Sequence, residues 1–290
     1  MYKLLISADE LRRELPARDW LVFDVRHDLA DHQAGRRAYE QGHIPGALFL
    51  DHEAQLSAAK TGSNGRHPLP GRGDFAILMR LQGLTRQSQV VVYDGGNSMF
   101  ASHLWWMLRW LGHENVAILD GGWPAWLAAG GASETGVRSA SVTEAQAVQS
   151  LEAPAAAAMP TVDARAVLEN LESPAFTVVD ARAANRYRGE TEPMDPVAGH
   201  IPGALNRPNS MNLRDDGRFK TPAELRGEFE ALLEGRPATQ VVHQCGSGIT
   251  ACHNLFAMEL AGLNGSALYP GSWSEWCSDP SRPVARSTDY

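Results

Sequence analysis

Cysteine is scarce, at 3 of 290 residues. Cys245, Cys252 and Cys277 are odd in number and crowd into the last fifth of the chain, which excludes a disulfide framework and leaves at least one free thiol. Also missing is any apolar run near the ~18 residues of a membrane span. The stretch from Met1 to Leu15 offers only Leu4, Leu5 and Ile6 before charged residues intervene, so no membrane segment is expected and the expected location is cytoplasmic. A basic excess is lacking as well: Lys and Arg total 26 against 34 Asp and Glu, a net charge of −8. That balance argues against nucleic acid or anionic lipid as a partner, while leaving room for a small local cationic pocket. What is present, 43% hydrophobic and 21% charged residues, describes an ordinary globular chain. Its length suits about two domains of ~150 residues each.

The chain repeats itself. LVFDVR at Leu21–Arg26 answers TVVDAR at Thr177–Arg182, and Gly-His-Ile-Pro-Gly-Ala occurs at Gly42–Ala47 and again at Gly199–Ala204. VVVYDG at Val90–Gly95 answers QVVHQC at Gln240–Cys245, and GGWPAW at Gly121–Trp126 answers GSWSEW at Gly271–Trp276. The offsets are 156 for the Asp-x-Arg pair, 157 for the histidines and 150 for the Trp-x-x-Trp pairs and for the loop in which Gly95 stands where Cys245 does. Each copy alternates short β-branched runs with helical patterns, which predicts parallel strands joined by crossover helices in an α/β sandwich. Ser7 with Glu10 forms a capping-box pattern, and Thr221-Pro222-Ala223-Glu224 adds a proline at the first helical position. Helices are predicted over Met99–Leu111 and from near Ala251 to Leu263, with Gly112 and Gly262 at their ends. The stretch Gly130–Pro160, rich in Ala, Ser, Gly and Glu, has little periodicity and reads as a linker. The expected division is therefore 1–130, a linker over 131–160, and 161–290.

Features shared by both copies build the fold; a feature of one copy alone is a candidate for chemistry. Asp24, Arg26, His43 and the paired tryptophans recur as Asp180, Arg182, His200 and their counterparts, and read as structural. Cys245 has no counterpart. It stands in Cys245-Gly246-Ser247-Gly248-Ile249-Thr250, between a strand and a helix, where unpaired backbone N–H groups and the positive end of the helix dipole favour thiolate over thiol. Gly246 and Gly248 give the backbone freedom to curl its amides around one point. The competing reading is a buried inert thiol on a glycine turn.

These motifs together resemble the rhodanese superfamily, and more closely its tandem-domain sulfurtransferases, which include the thiosulfate and 3-mercaptopyruvate enzymes. The CGSGIT loop is similar to the CGSGVT of the mercaptopyruvate enzymes. The resemblance spans both copies and the linker. It implies two tandem rhodanese-like α/β/α sandwich domains, each around a central parallel sheet, with the catalytic cysteine in the second only. It also implies that Arg186, in Asn185-Arg186-Tyr187-Arg188-Gly189, binds the donor's anionic group; its first-copy partner is Ala30, so this arginine too belongs to one half. Arg188 is a second candidate anion contact or plain surface. The sequence departs from the mercaptopyruvate enzymes at Glu192-Pro193-Met194-Asp195-Pro196-Val197, where Val197 falls in place of a second substrate arginine.

From the first half, Leu50-Asp51-His52-Glu53 and Arg66-His67-Pro68-Leu69-Pro70 resemble segments that in relatives reach over the second domain's pocket. The resemblance implies a proton relay of Glu53, or Asp51, with His67 and Ser247; His67 has the alternative of anchoring a loop.

Three rivals are weighed. A phosphatase signature needs an arginine six residues after its cysteine, and here that position is Ala251. Zinc on His243, Cys245, Cys252 and His253 lacks paired ligand spacing, so no metal site is expected there. A non-catalytic binding module describes the first half, but Cys245 argues against it for the second. The expected reaction moves sulfur from 3-mercaptopyruvate, or alternatively thiosulfate, onto Cys245 as a persulfide, with Gly246, Ser247, Gly248, Ile249 and Thr250 stabilising the sulfur's charge. The acceptor would be cyanide, a small thiol or a thioredoxin-like dithiol, with no cofactor.

Overall fold

Ser7 opens the first helix as the repeat pattern requires: its side chain accepts from Glu10 N while Glu10 returns a bond to the Ser7 backbone. This computed structural model describes residues 1–15, 20–140 and 156–286. The chain divides into two units, one of Met1–Ala58, Pro70–Met159 and Asp215–Arg218, the other of Ala59–Leu69, Pro160–Arg214 and Phe219–Tyr290. Part of the expected linker, residues 141–155, lies outside the described residues.

In the first unit, strands β1 (Leu5–Ile6), β2 (Leu21–Asp24), β3 (Leu48–Phe49), β4 (Val90–Tyr93) and β5 (Val116–Leu119) form one sheet in the order β1-β5-β4-β2-β3, parallel throughout. Among the described residues, five helices accompany it: α1 (Ala8–Glu14), α2 (Ala34–Gln41), α3 (Arg72–Leu81), α4 (Met99–Trp110) and α5 (Gly122–Ala128). Val91 and Tyr93 enter a core with Ala8, Leu11, Ala125 and Trp126, contributed by α1 and α5. Side chains alternate across a strand, so the equally buried Val90 and Val92 face the other side, and α4 packs on β4 and β5. Burial on both faces is why these strands read as unbroken β-branched runs.

The second unit holds α6 (Ala164–Glu172), β6 (Thr177–Asp180), α7 (Ala184–Tyr187), β7 (Leu205–Asn206), α8 (Pro222–Leu233), β8 (Val241–Gln244), α9 (Ile249–Leu260), β9 (Ala267–Leu268) and α10 (Ser272–Trp276). Its sheet runs β7-β6-β8-β9, again parallel, and a parallel bridge from Thr161 to Leu268 stands where β1 pairs β5 in the first unit. Thr221 caps α8 with the predicted box and Pro222. Helix α9 begins at Ile249, two residues ahead of the expected start, so Thr250 lies in its first turn.

The shared motifs make the same frame twice. Arg26 grips the Asp24 carboxylate and donates to Gly42 O at 2.6 Å; Arg182 grips Asp180 and donates to Gly199 O at 2.7 Å. His43 stacks on Tyr39 with centroids 3.9 Å apart, and His200 on Tyr187 at 3.8 Å. Each guanidinium also covers a tryptophan, Arg26 on Trp123 and Arg182 on Trp273. Charge-assisted bonds between groups this buried tie a strand end to a turn, which is the structural role their repetition implied. Among the described residues, no helix is long and apolar enough to cross a membrane.

Candidate active site

Strand β8 lies between β6 and β9 and delivers Cys245 to the mouth of α9. The loop is fixed from one side. Cys245 N donates to Ser272 Oγ at 3.0 Å, Cys245 O accepts from Trp273 N at 2.9 Å, and Gly246 O accepts from Ser274 N at 2.9 Å. Ser272 holds φ 54°, a left-handed conformation for which the first unit uses Gly122 at φ 56°. Its hydroxyl, donating to Tyr269 O at 2.9 Å while accepting from Cys245 N, accounts for a serine in that strained place. Sequence reasoning missed Ser272; the Gly-to-Ser difference between GGWPAW and GSWSEW was its signal.

Gly248 caps α9 at φ +89°, and a Cβ there would stand 2.5 Å from Pro270 O. Only glycine fits. With that cap the 12-residue helix α9 starts at Ile249, so its positive end lies close in sequence to Cys245, which is 2% exposed.

Three arginines and two carboxylates gather beside the loop. A Cβ on Gly246 would lie 2.9 Å from Arg66 Nη2 and 3.6 and 3.7 Å from the Nη atoms of Arg186, so glycine makes room for both guanidiniums. Arg186 bonds Glu192 at 2.6 and 3.2 Å and reaches Asp195 at 3.5 Å; Arg66 Nη1 bonds the other oxygen of Asp195; Arg182 reaches Glu192 at 3.3 Å. Burial works to raise the Glu192 carboxyl, but bonds from Arg186 and from the amides of Met194 and Asp195 outweigh it and hold it below the usual range. For Asp195 burial prevails: its carboxyl is pushed up despite Arg66 and Arg186, helped by the charge of Glu192. Arg66 was quoted from the sequence only as part of the His67 segment. Its partner Asp195 is 129 residues away, and no local pattern reveals such a pairing.

The remaining expected residues divide. His67 Nδ1 lies 2.8 Å from Ser247 Oγ, both buried. Glu53 belongs to the other unit, where its carboxylate stands 3.7 Å from His32 Nδ1. Asp51 accepts from Glu53 N and Ala54 N and closes a turn. Arg188 is half-exposed and its guanidinium is taken by Glu190 at 2.6 and 3.0 Å. Apart from Cys245, the residues weighed as zinc ligands are engaged in packing. Cys252 donates to Gly248 O at 3.3 Å and burial raises its thiol well above the usual range. His243 lies 3.1 Å from Met258 Sδ, and burial, with the Arg207 charge, pulls it down to about 3. His253 stacks on Phe219.

The first unit's corresponding loop is already full. Asp94, where the second copy has Gln244, accepts from the amides of Gly96, Ser98, Phe100 and Ala101 at 3.0–3.1 Å. Its own carboxylate takes the bonds that an incoming anion would need.

A family model described as a rhodanese-like domain matches residues 7–129 and again 163–279. The chain belongs to the rhodanese-like family. Among its relatives, a Pseudomonas aeruginosa protein named a probable 3-mercaptopyruvate sulfurtransferase is 48% identical over 283 residues, covering 97% of each chain. The thiosulfate sulfurtransferase of Bos taurus is 35% identical over 287 residues, 95% of this chain and 92% of its own. A 3-mercaptopyruvate sulfotransferase from Escherichia coli superposes with a TM-score of 0.77 at 32% identity, over 93% of this chain and 98% of its own. The duplicated domain, the single cysteine loop and these likenesses put the chain among the tandem-domain sulfurtransferases of that rhodanese family.

Proposed function

We propose that this chain takes sulfur from 3-mercaptopyruvate onto Cys245 and hands it to a thiol, a thioredoxin-like dithiol or cyanide. The observation that carries the donor choice is the approach of the Arg66 and Arg186 guanidiniums to Gly246, beside a loop that is itself neutral. Two guanidiniums at one edge suit a carboxylate on one end of the donor, and leave the donor's sulfur facing Cys245. Arg66 thereby serves where Val197 supplies no cation. Arg188, held by Glu190, is assigned no part.

The Cys245 thiolate attacks the donor thiol's sulfur. A sulfur–sulfur bond forms as the donor's carbon–sulfur bond breaks, and the electron pair leaves on carbon as the enolate of pyruvate. The Ser247–His67 pair passes a proton to that enolate. Gly246, Ser247, Gly248, Ile249 and Thr250 stabilise charge on the persulfide through the loop amides and hydroxyls. The acceptor attacks the outer sulfur and restores the thiolate. Glu53 is left out of this relay, because its described partner is His32. All three cysteines are free thiols, which suits a reducing compartment, and we place the chain in the cytoplasm.

Thiosulfate is the second reading, favoured by the name of the bovine relative. Intact mass after incubation with each donor is the test: one added sulfur on the peptide bearing Cys245 supports the transfer, and its absence with both donors sinks it. A higher kcat/KM for thiosulfate than for mercaptopyruvate would overturn the donor choice alone.

A further inference from the structure

The first unit carries a histidine cluster that sulfur transfer does not use. His27 follows directly on the Asp24–Arg26 strand end, His32 lies in the turn before α2, and Glu53 comes soon after β3. The rings of His27 and His32 are 5.5 Å apart, and His32 Nδ1 is 3.7 Å from Glu53 Oε1. One ligand atom from each of the three lies within 4.8 Å of the others. The Nε2 of His27 is buried and has no hydrogen-bond partner among the described residues, an expensive state for an imidazole nitrogen. Behind it stands a second layer: His52 is 5.6 Å from His27, and Phe100 packs edge-on against both rings at 5.1 Å.

From this juxtaposition of His27, His32 and Glu53 we infer a binding site for a divalent first-row transition ion of the zinc type. Two imidazoles and one carboxylate are the donor set such an ion accepts, at about 2.0–2.2 Å, with a fourth position left for water or an outside ligand. Tetrahedral coordination at those lengths needs ligand atoms about 3.4 Å apart, so the three groups close by at most ~1.5 Å, within the reach of side-chain rotation. The loops that bear them are already set. Asp28 accepts from Ala30 N at 2.7 Å and Asp51 from Glu53 N at 2.9 Å, which fixes both turns and keeps these neighbouring carboxylates occupied. The repeat supplies an independent argument. At the same offsets the second copy has Ala183, Arg188 and Ser210, none of which would bind such an ion there, so these donors are no part of the shared frame.

The experiment uses the full-length Cys245→Ser chain, so that the reactive thiol does not compete for metal. After chelator treatment it is titrated with Co²⁺, followed by its visible absorption, and with Zn²⁺ by calorimetry. The inference expects one equivalent bound, a cobalt spectrum without thiolate charge transfer, and at least a tenfold weaker affinity in His27→Ala, in His32→Ala and in Glu53→Gln. His32 is exposed, so its replacement leaves the fold intact. Unchanged affinity in His32→Ala, or a thiolate band in the cobalt spectrum, overturns the assignment.

Discussion

Ser247 Oγ and His67 Nδ1 meet at 2.8 Å across 180 residues of sequence, and both side chains are buried. A hydroxyl in the Cys245 loop is thus joined to the imidazole of the Arg66–Pro70 segment.

That pair should separate the two donors. Pyruvate leaves as an enolate that needs a proton, whereas sulfite leaves from thiosulfate without one. His67→Asn should lower kcat with mercaptopyruvate by roughly 10²–10⁴-fold and KM little. Persulfide formation from thiosulfate should change far less, and equal losses with both donors would reduce His67 to a loop anchor.

Arg186→Ala and Arg66→Ala should each weaken use of mercaptopyruvate by about 1.5–3 kcal/mol in kcat/KM, the range of a bond to a charged group. Because both guanidiniums share Asp195, the double variant should lose less than the sum of the two. Strict additivity, measured in a double-mutant cycle, would mean that they act on separate groups.

Acidity should favour the donor. Arg66, Arg182 and Arg186 with Glu192, Asp195 and the Asp180 that Arg182 grips carry no net charge when all three carboxyls are ionised. Asp195, raised by burial, takes up its proton at a higher pH than an ordinary aspartate, while Glu192 stays ionised. As pH falls through that range the cluster gains a unit of positive charge, and KM for mercaptopyruvate should fall. Asp195→Asn should show the lowered KM near neutral pH and lose that pH response; a variant whose KM still follows pH would place the titration elsewhere.

Gly248→Ala should cost on the order of 1–2 kcal/mol for its left-handed backbone alone, with the contact to Pro270 O in addition. Thermal unfolding and persulfide yield report the two consequences. Gly246→Ala, whose φ is not positive, should fold normally and instead displace Arg66, appearing as a raised KM.

Much of this fold was legible because its rules are local or repeated. The capping boxes at Ser7 and Thr221 were visible within four residues, and the Arg26 and Arg182 grips were visible as duplicates. Cys245 stood out against Gly95. The residues that escaped notice act over distance. Arg66 gains its meaning from Asp195, and the preference of Ser272 for a glycine conformation is explained only by the amide of Cys245 above it. The early start of α9 follows from Gly248, whose left-handed cap lets the helix begin at once.

Asp94 has a consequence for how the two copies came to differ. Placing a cysteine at Gly95 would set a thiol beside a built-in carboxyl group whose oxygens already hold four amides, which are then not free to stabilise a charged sulfur. Restoring chemistry to the first half therefore takes at least two simultaneous replacements, one to add the nucleophile and one to evict the internal tenant, and either alone gains nothing. A duplicate locked in this way is free to drift toward other uses.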